Sequence, residues 1–261
     1  MKRSLAFLLS ATLTISFVLA QGTDELVNEP LPDQDRVVAK VGAERKLFNG
    51  EAMGDWDGNP ELWSVKDGAI FGQTSAEKPL KRNSFLVWKG GTVSDFELTL
   101  KYRIIDGNSG IQFRSRQTEK GPQGPVVQGY QADFEAGNTY SGILYEEGGR
   151  GILAKRGEKV TISSQEKPAG DDKAKDFKIE VTGEVGKSDE IQAGIKSKDW
   201  NEMKVIAKGN HIQEFINGKQ TVDVTDNDAK HAAKEGILAL QIHAGPPMTV
   251  EFKDIVLKAL K

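Results

Sequence analysis

Between Asp95 and Ile105, apolar residues occupy every second position: Phe96, Leu98, Leu100, Tyr102 and Ile104. A period of two is that of a strand with one buried face. The same alternation or short apolar runs recur at Leu62–Phe71, Ser84–Trp88, Gly110–Arg114, Gln128–Glu135, Gly142–Tyr145, Trp200–Ala207, His211–Ile216, Ile237–His243 and Thr249–Leu257. Asp67-Gly68, Gly209-Asn210 and Asn217-Gly218 punctuate these runs, and Asp-Gly and Asn-Gly are the pairs that tight hairpins favour. One stretch differs. Residues 155–198 are rich in Lys, Glu and Asp with few large apolar side chains, so they read as a charged insertion on a sheet edge rather than a second domain. Within it, Ser188–Ile195 fits one short helix capped by Ser188. Many short strands with hardly any helical periodicity predict an all-β, two-sheet sandwich of jelly-roll type.

The first twenty residues break this pattern. Lys2 and Arg3 precede an uncharged apolar run from Leu5 to Leu19, and Val18 and Ala20 suit a cleavage before Gln21. The run is short for a membrane span and a polar segment follows it, so residues 1–20 read as a signal peptide and the protein as exported, periplasmic or secreted, with no membrane association after processing. Residues 21–44, with Glu29-Pro30 and Leu31-Pro32, read as a flexible tail, leaving 45–261 as the folded domain. The mature chain of 261 − 20 = 241 residues is long enough for one core.

Composition narrows the functions. The formal charge of −3, without a basic stripe, argues against a nucleic-acid partner. The absence of cysteine excludes disulfides, thiolate nucleophiles and Cys-bound metals. On the strand 128–135, Gln131, Asp133 and Glu135 share one face, while Tyr130, Ala132 and Phe134 share the other. The first set is either an ordinary solvated face or a polar platform for a polyhydroxylated ligand.

Motifs in a fixed order decide between these readings. Leu47-Phe48-Asn49-Gly50 with Asp55-Trp56, then Trp63 to Ile70, Asp95-Phe96-Glu97, Gly107-Asn-Ser-Gly-Ile-Gln-Phe-Arg114, Gly129 to Asp133, Trp200-Asn201-Glu202, Asn217-Gly218 and Gly236 to His243 follow one another. Together they resemble the 3-keto-disaccharide hydrolase family, formerly domain of unknown function 1080, over roughly residues 45–260. The resemblance implies a concanavalin A-like jelly roll that cleaves or hydrates 3-keto-glycosides, with a small saccharide as its partner. In such chemistry the C3 ketone acidifies the C2 proton, a base removes it, and the C1–O bond is expelled; water then adds to the enone. A base near C2, a donor to the C3 oxygen and an acid at the leaving oxygen are needed.

His243 at a strand end, Asp133, and Glu146 are the candidate proton-transfer groups. Asn108, Arg114, Gln131, Tyr140, Tyr145, Arg150 and Gln241 are the candidate substrate contacts. Glu146 and Arg150 enter because related sequences carry a similar Leu-Tyr-Asp/Glu-Glu-x-x-Arg run. Ser141 stands where relatives often carry Gly or Trp, so substrate identity does not transfer. No HExxH or EF-hand spacing is present, so the motifs name no certain cofactor, although Asp133, Glu146, Glu147 and His243 could converge on a divalent ion such as Ca²⁺. Self-association is left open. Retaining glycosidase action through the 131–135 strand is disfavoured. It needs two carboxylates about 5–5.5 Å apart, and Gln131 stands in the nucleophile's place. The alternative to an enzyme is a non-catalytic, lectin-like carbohydrate-binding module on the same fold.

Overall fold

The computed structural model describes residues 42–261, apart from 169 and 172. The expected signal peptide and all but the end of the expected tail lie outside the described residues. Strands β1 (Glu44–Lys46), β2 (Trp56–Asp57), β3 (Trp63–Lys66), β4 (Ala69–Gln73), β5 (Ser84–Trp88) and β6 (Phe96–Ile105) come first. The long β7 (Asn108–Gly121) and β8 (Gly124–Glu135) follow, then β9 (Ile143–Glu147), β10 (Gly151–Ala154), β11 (Glu158–Ser164) and β12 (Phe177–Glu184). After helix α1 (Ser188–Gln192) come β13 (Asn201–Lys208), β14 (His211–Ile216), β15 (Lys219–Asn227), β16 (Ile237–Ile242) and β17 (Thr249–Ala259).

These strands form two sheets. The ten-stranded sheet runs β12-β11-β15-β14-β13-β6-β17-β4-β3, with β1 paired to β17; the seven-stranded sheet runs β10-β9-β8-β7-β16-β5-β2. The fold is an all-β jelly-roll sandwich. Both central residues of the Asp67-Gly68 turn (φ 50° and 75°) and of the Asn217-Gly218 turn (φ 50° and 78°) are left-handed, as two-residue hairpins require.

The alternating apolar face of β6 is the centre of the core. Its buried Phe96, Leu98, Leu100, Tyr102 and Ile104 face the seven-stranded sheet. The Tyr102 ring stacks on Phe134 of β8 at 3.8 Å between centroids, and Phe113 of β7 stacks on Tyr130 at 5.6 Å. Each such ring contributes roughly 1.5–3 kcal/mol by leaving water, which holds the two sheets together without disulfides.

Two expectations are modified, and one strand had no expectation. The charged stretch 155–198 supplies β11 and β12 at the end of the larger sheet, and the exposed β12 accounts for its polar composition. β15 was not anticipated at all. It carries Asp223 and Asp226 within an interior strand of the sheet, and their carboxylates are matched by His211, Gln213, Tyr130 and Arg150, so the strand is buried despite its charged residues. Finally, α1 is one turn shorter than expected, with Lys187 rather than Ser188 at the N-cap and no side-chain cap. The Ser188 hydroxyl is instead engaged by Arg156 Nε at 3.1 Å.

Candidate active site

The polar row of β8 lies on the face of the seven-stranded sheet turned away from the core. Register sets its neighbours: Asn108, Gly110 and Gln112 of β7 oppose Glu135, Asp133 and Gln131, and Tyr145 of β9 opposes Gln131. Gly110 is required here, because a Cβ at that position would sit 2.5 Å from Gln131 Cγ. Without that glycine the side chains of the row would not fold over the sheet.

Asp133 is held on both oxygens. Asn108 Nδ2 donates to Oδ1 at 2.6 Å and Gln131 Nε2 donates to Oδ2 at 2.9 Å. Behind Gln131, Gln112 Nε2 donates to its Oε1 at 2.7 Å, and Ser115 Oγ donates to Gln112 Oε1 at 2.8 Å. The chain of amides fixes which end of each amide faces Asp133. Asp133 is buried, and this desolvation pushes its carboxyl up to about 7; the fields of Glu135 and Glu147 add to it while the two amide donors oppose it. A carboxyl poised there both takes and returns a proton at neutral pH.

A second carboxylate shares this face. Glu147 sits opposite Gly129, two residues along β9 from Tyr145, and accepts from Asn83 Nδ2 at 3.1 Å and from Gln241 Nε2 at 3.1 Å. From β9 to β16, where Gln241 lies, is three strand spacings, about 14 Å in a flat sheet. The contact closes that span, so the sheet curls toward this face. Burial raises the Glu147 carboxyl above its usual range, against the donors and the field of His243. The Tyr145 phenol is also raised, by burial and then by Glu147 and Asp133, so it keeps its proton and acts as a donor. Gln241 Oε1 is buried with no partner, an acceptor left for a ligand hydroxyl.

His243 is exposed just past the end of β16. Its Nδ1 stands 2.5 Å from its neighbour's carbonyl, Ala244 O, which only accepts, so Nδ1 carries the hydrogen and Nε2 is left as the basic nitrogen. Asn83 Oδ1 accepts from Ala244 N at 2.9 Å, tying this turn to Glu147. Tyr140 stands exposed on the loop after β8, where Glu135 Oε1 accepts from Tyr140 N at 2.9 Å.

Residues 43–258 match the 3-keto-alpha-glucoside-1,2-lyase-like domain. The chain belongs to this family. Its function is therefore tied to carbohydrate chemistry. A search of curated proteins gives no match. Among solved structures, a Bacillus subtilis protein of unknown function with a galectin-like fold is 12% identical with a TM-score of 0.52, over 84% of this chain and 96% of that one, and supports the sandwich fold. The carbohydrate-binding module CBM66 from Bacillus subtilis (16% identical, TM-score 0.49, 78% of this chain and 96% of that one) is also similar. So is the Bacillus licheniformis beta-glucanase (11%, 0.45, 85% and 100%).

Within this 3-keto-glucoside lyase-like domain, three expected site residues lie elsewhere. Glu146 alternates with Glu147, so it points to the core side together with Leu144. There Arg150 binds it through Nε at 2.8 Å, and binds Asp226 through Nη2 at 2.7 Å and Asp228 through Nη1 at 3.3 Å. Tyr130 OH donates to Asp226 Oδ2 at 2.6 Å and completes the buried network. Glu146 and Arg150 thus join the two sheets and do not face Asp133. The four groups imagined around a divalent ion are not assembled for the same reason, and among the described residues no other cluster suited to a metal gathers.

Arg114 is the third. A bulge in β7 leaves Arg114 and Ser115 opposite the single residue Gly129, and Arg114 takes a left-handed φ of 45°. The bulge turns its side chain away from the polar row. Its guanidinium donates to Ser94 O at 2.7 Å and Gly209 O at 2.6 Å and pairs with Asp95 at 3.0 Å, with 2% of the residue exposed. Conversely, Glu147 was considered from the sequence only as a metal ligand, and Asn83 was not considered. The two-residue period linking Glu147 to Tyr145 was the available signal; Asn83, distant in sequence, had none.

Proposed function

We propose that this domain cleaves 3-keto-glycosides by elimination across C1–C2 and hydrates the resulting enone, giving net hydrolysis, and that it does so outside the cytoplasm after loss of residues 1–20. The observation that carries the reading is Asp133: a buried carboxyl poised near neutrality, oriented by two amides on a curled polar face. In this scheme Asp133 takes the C2 proton, and the electron pair becomes an enolate on the C3 carbonyl. That pair then forms the C1–C2 double bond as C1–O breaks. Glu147, whose carboxyl burial raises above its usual range, gives a proton to the departing oxygen. In hydration, the hydroxyl of water adds to C1, its proton returns to Glu147, and Asp133 returns its own to C2. The Tyr145 phenol is the donor for the C3 oxygen. His243, whose charge acts on Glu147, exchanges protons between that carboxyl and solvent through Nε2. Asn108, Gln131 and Gln241 orient catalytic groups and sugar hydroxyls. Stabilising the enolate and protonating the leaving oxygen are each worth orders of magnitude in rate.

The amide-rich face also fits a lectin-like module, and one experiment separates the two. Incubation with a 3-keto-disaccharide and its unoxidised parent, followed by product analysis, should show cleavage of the keto form alone. Binding of either sugar without cleavage would replace the enzyme reading with the lectin-like one.

A further inference from the structure

Glu147 lines more than the polar face. On its far side from Asp133 lies a cleft of about 420 Å³, walled by Arg116 and Gln128, the Gly148-Gly149 turn, and Lys230 and His231, with Arg150 and Glu146 behind. This volume is within the usual range for a small-molecule site, about 300–1,000 Å³. We propose that this cleft is the subsite for the leaving group of the same reaction, and that it takes a neutral sugar unit. The proposal rests on the reading of Glu147 as the acid at the departing oxygen, because that acid must stand between the oxidised ring and whatever leaves.

The construction of the cleft supports this. Gly148 adopts a left-handed φ of 64°, and a Cβ there would sit 2.7 Å from Gln128 Cγ; a Cβ on Gly149 would sit 2.4 Å from Glu146 Oε2. Two glycines in succession therefore let the turn beyond Glu147 pack directly against Gln128 and Glu146, which form the adjoining walls of the cleft. The back wall is rigid, because the Arg150 network that crosses between the sheets forms it. Arg116 Nη2 donates to Gln128 Oε1 at 2.9 Å, and Asp176 is shared by His231 Nε2 at 3.0 Å and Lys230 Nζ at 3.5 Å. The rim thus offers both donors and acceptors: Asp176 meets Lys230 and His231, Arg116 meets the neutral Gln128 amide, and Glu147 stands at the same wall. Such a lining suits hydroxyls, each of which donates and accepts, better than a carboxylate or phosphate. Its one aromatic ring, Phe177, is 8% exposed and offers no stacking platform for an aryl group.

The test compares a 3-keto-disaccharide whose leaving unit is glucose with methyl 3-keto-glucoside, in the wild type and in Arg116→Ala. Arg116 is exposed, so its loss should leave the fold intact, which a thermal melt checks. Loss of one charged hydrogen bond should lower kcat/KM for the disaccharide about tenfold and leave the methyl glycoside unchanged. An equal effect on both substrates, or none on either, would overturn the assignment. If neither keto substrate reacts, the catalytic reading fails, and calorimetric binding of glucose judges the cleft by itself. Binding to the wild type that Arg116→Ala removes would keep a sugar site there. No binding, or binding that the variant leaves unchanged, would eliminate it.

Discussion

Asn108 Nδ2 lies 2.6 Å from Asp133 Oδ1, although 25 residues separate them and they stand diagonally across β7 and β8 rather than opposite one another. The contact forms because Asn108 opposes Glu135 while Gly110, opposite Asp133, offers no side chain of its own. Asp133 is thereby fixed in orientation while burial still keeps its proton affinity high.

Asp133→Asn should remove proton transfer at C2 while keeping the size and much of the hydrogen bonding of the side chain. Turnover of a 3-keto-disaccharide is expected to fall by about 10²–10⁴-fold, with the thermal midpoint nearly unchanged. A variant that unfolds instead would make Asp133 a structural residue.

The pH dependence follows from the same carboxyl. As the base it must be ionised, so kcat/KM should climb with pH through about 7. Gln131→Leu removes a donor that favours the ionised form, so the acid limb should move to higher pH. A pH–rate profile that stays in place would show that Asp133 does not govern it.

His243→Ala should cost at least tenfold in turnover without lowering stability, because the ring is exposed and its Nδ1 bond is to its own neighbour's carbonyl. Unchanged turnover in a steady-state assay would remove His243 from the proton path.

Arg150→Met should act on stability, not on chemistry. Removing the guanidinium strands Glu146, Asp226 and Asp228 as buried carboxylates, which costs about 3–5 kcal/mol. Urea unfolding should show the loss, and the protein that remains folded in the cold should keep its specific activity on methyl 3-keto-glucoside, whose leaving group does not reach the cleft that Arg150 backs.

Glu214 makes a different prediction. It is fully buried in β14, both its oxygens lack partners, and burial, then the field of Asp133, raises its carboxyl well above 4.5. The fold therefore binds this proton more tightly than the unfolded chain does. The stability it contributes is complete below about pH 4.5 and is lost progressively as pH rises toward the folded value. Glu214→Met should stabilise the protein at neutral pH by about 1–3 kcal/mol, and melts across pH should show the gap widening upward from pH 4.5.

Much of this fold was written locally. The two-residue period of β6, the Asp67-Gly68 and Asn217-Gly218 turns and the separation of Gln131, Asp133 and Glu135 from Tyr130, Ala132 and Phe134 all depend on neighbours within a few residues, so the sequence alone determined them. In β9 that locality ran out. Ile143 and Leu144 are both apolar, so alternation put Glu146 and Glu147 on opposite faces without saying which face was core. Only the pairing of Tyr130 with Glu146 and of Gly129 with Glu147 decided it. The fates of Arg114 and Arg150 were likewise tertiary. Arg114 is turned inward by a bulge and met by carbonyls of Ser94 and Gly209, and Arg150 is claimed by Asp226 and Asp228 from the other sheet. A charged side chain goes where burial supplies a partner, and partners brought together from distant strands exist only once the sheets have packed.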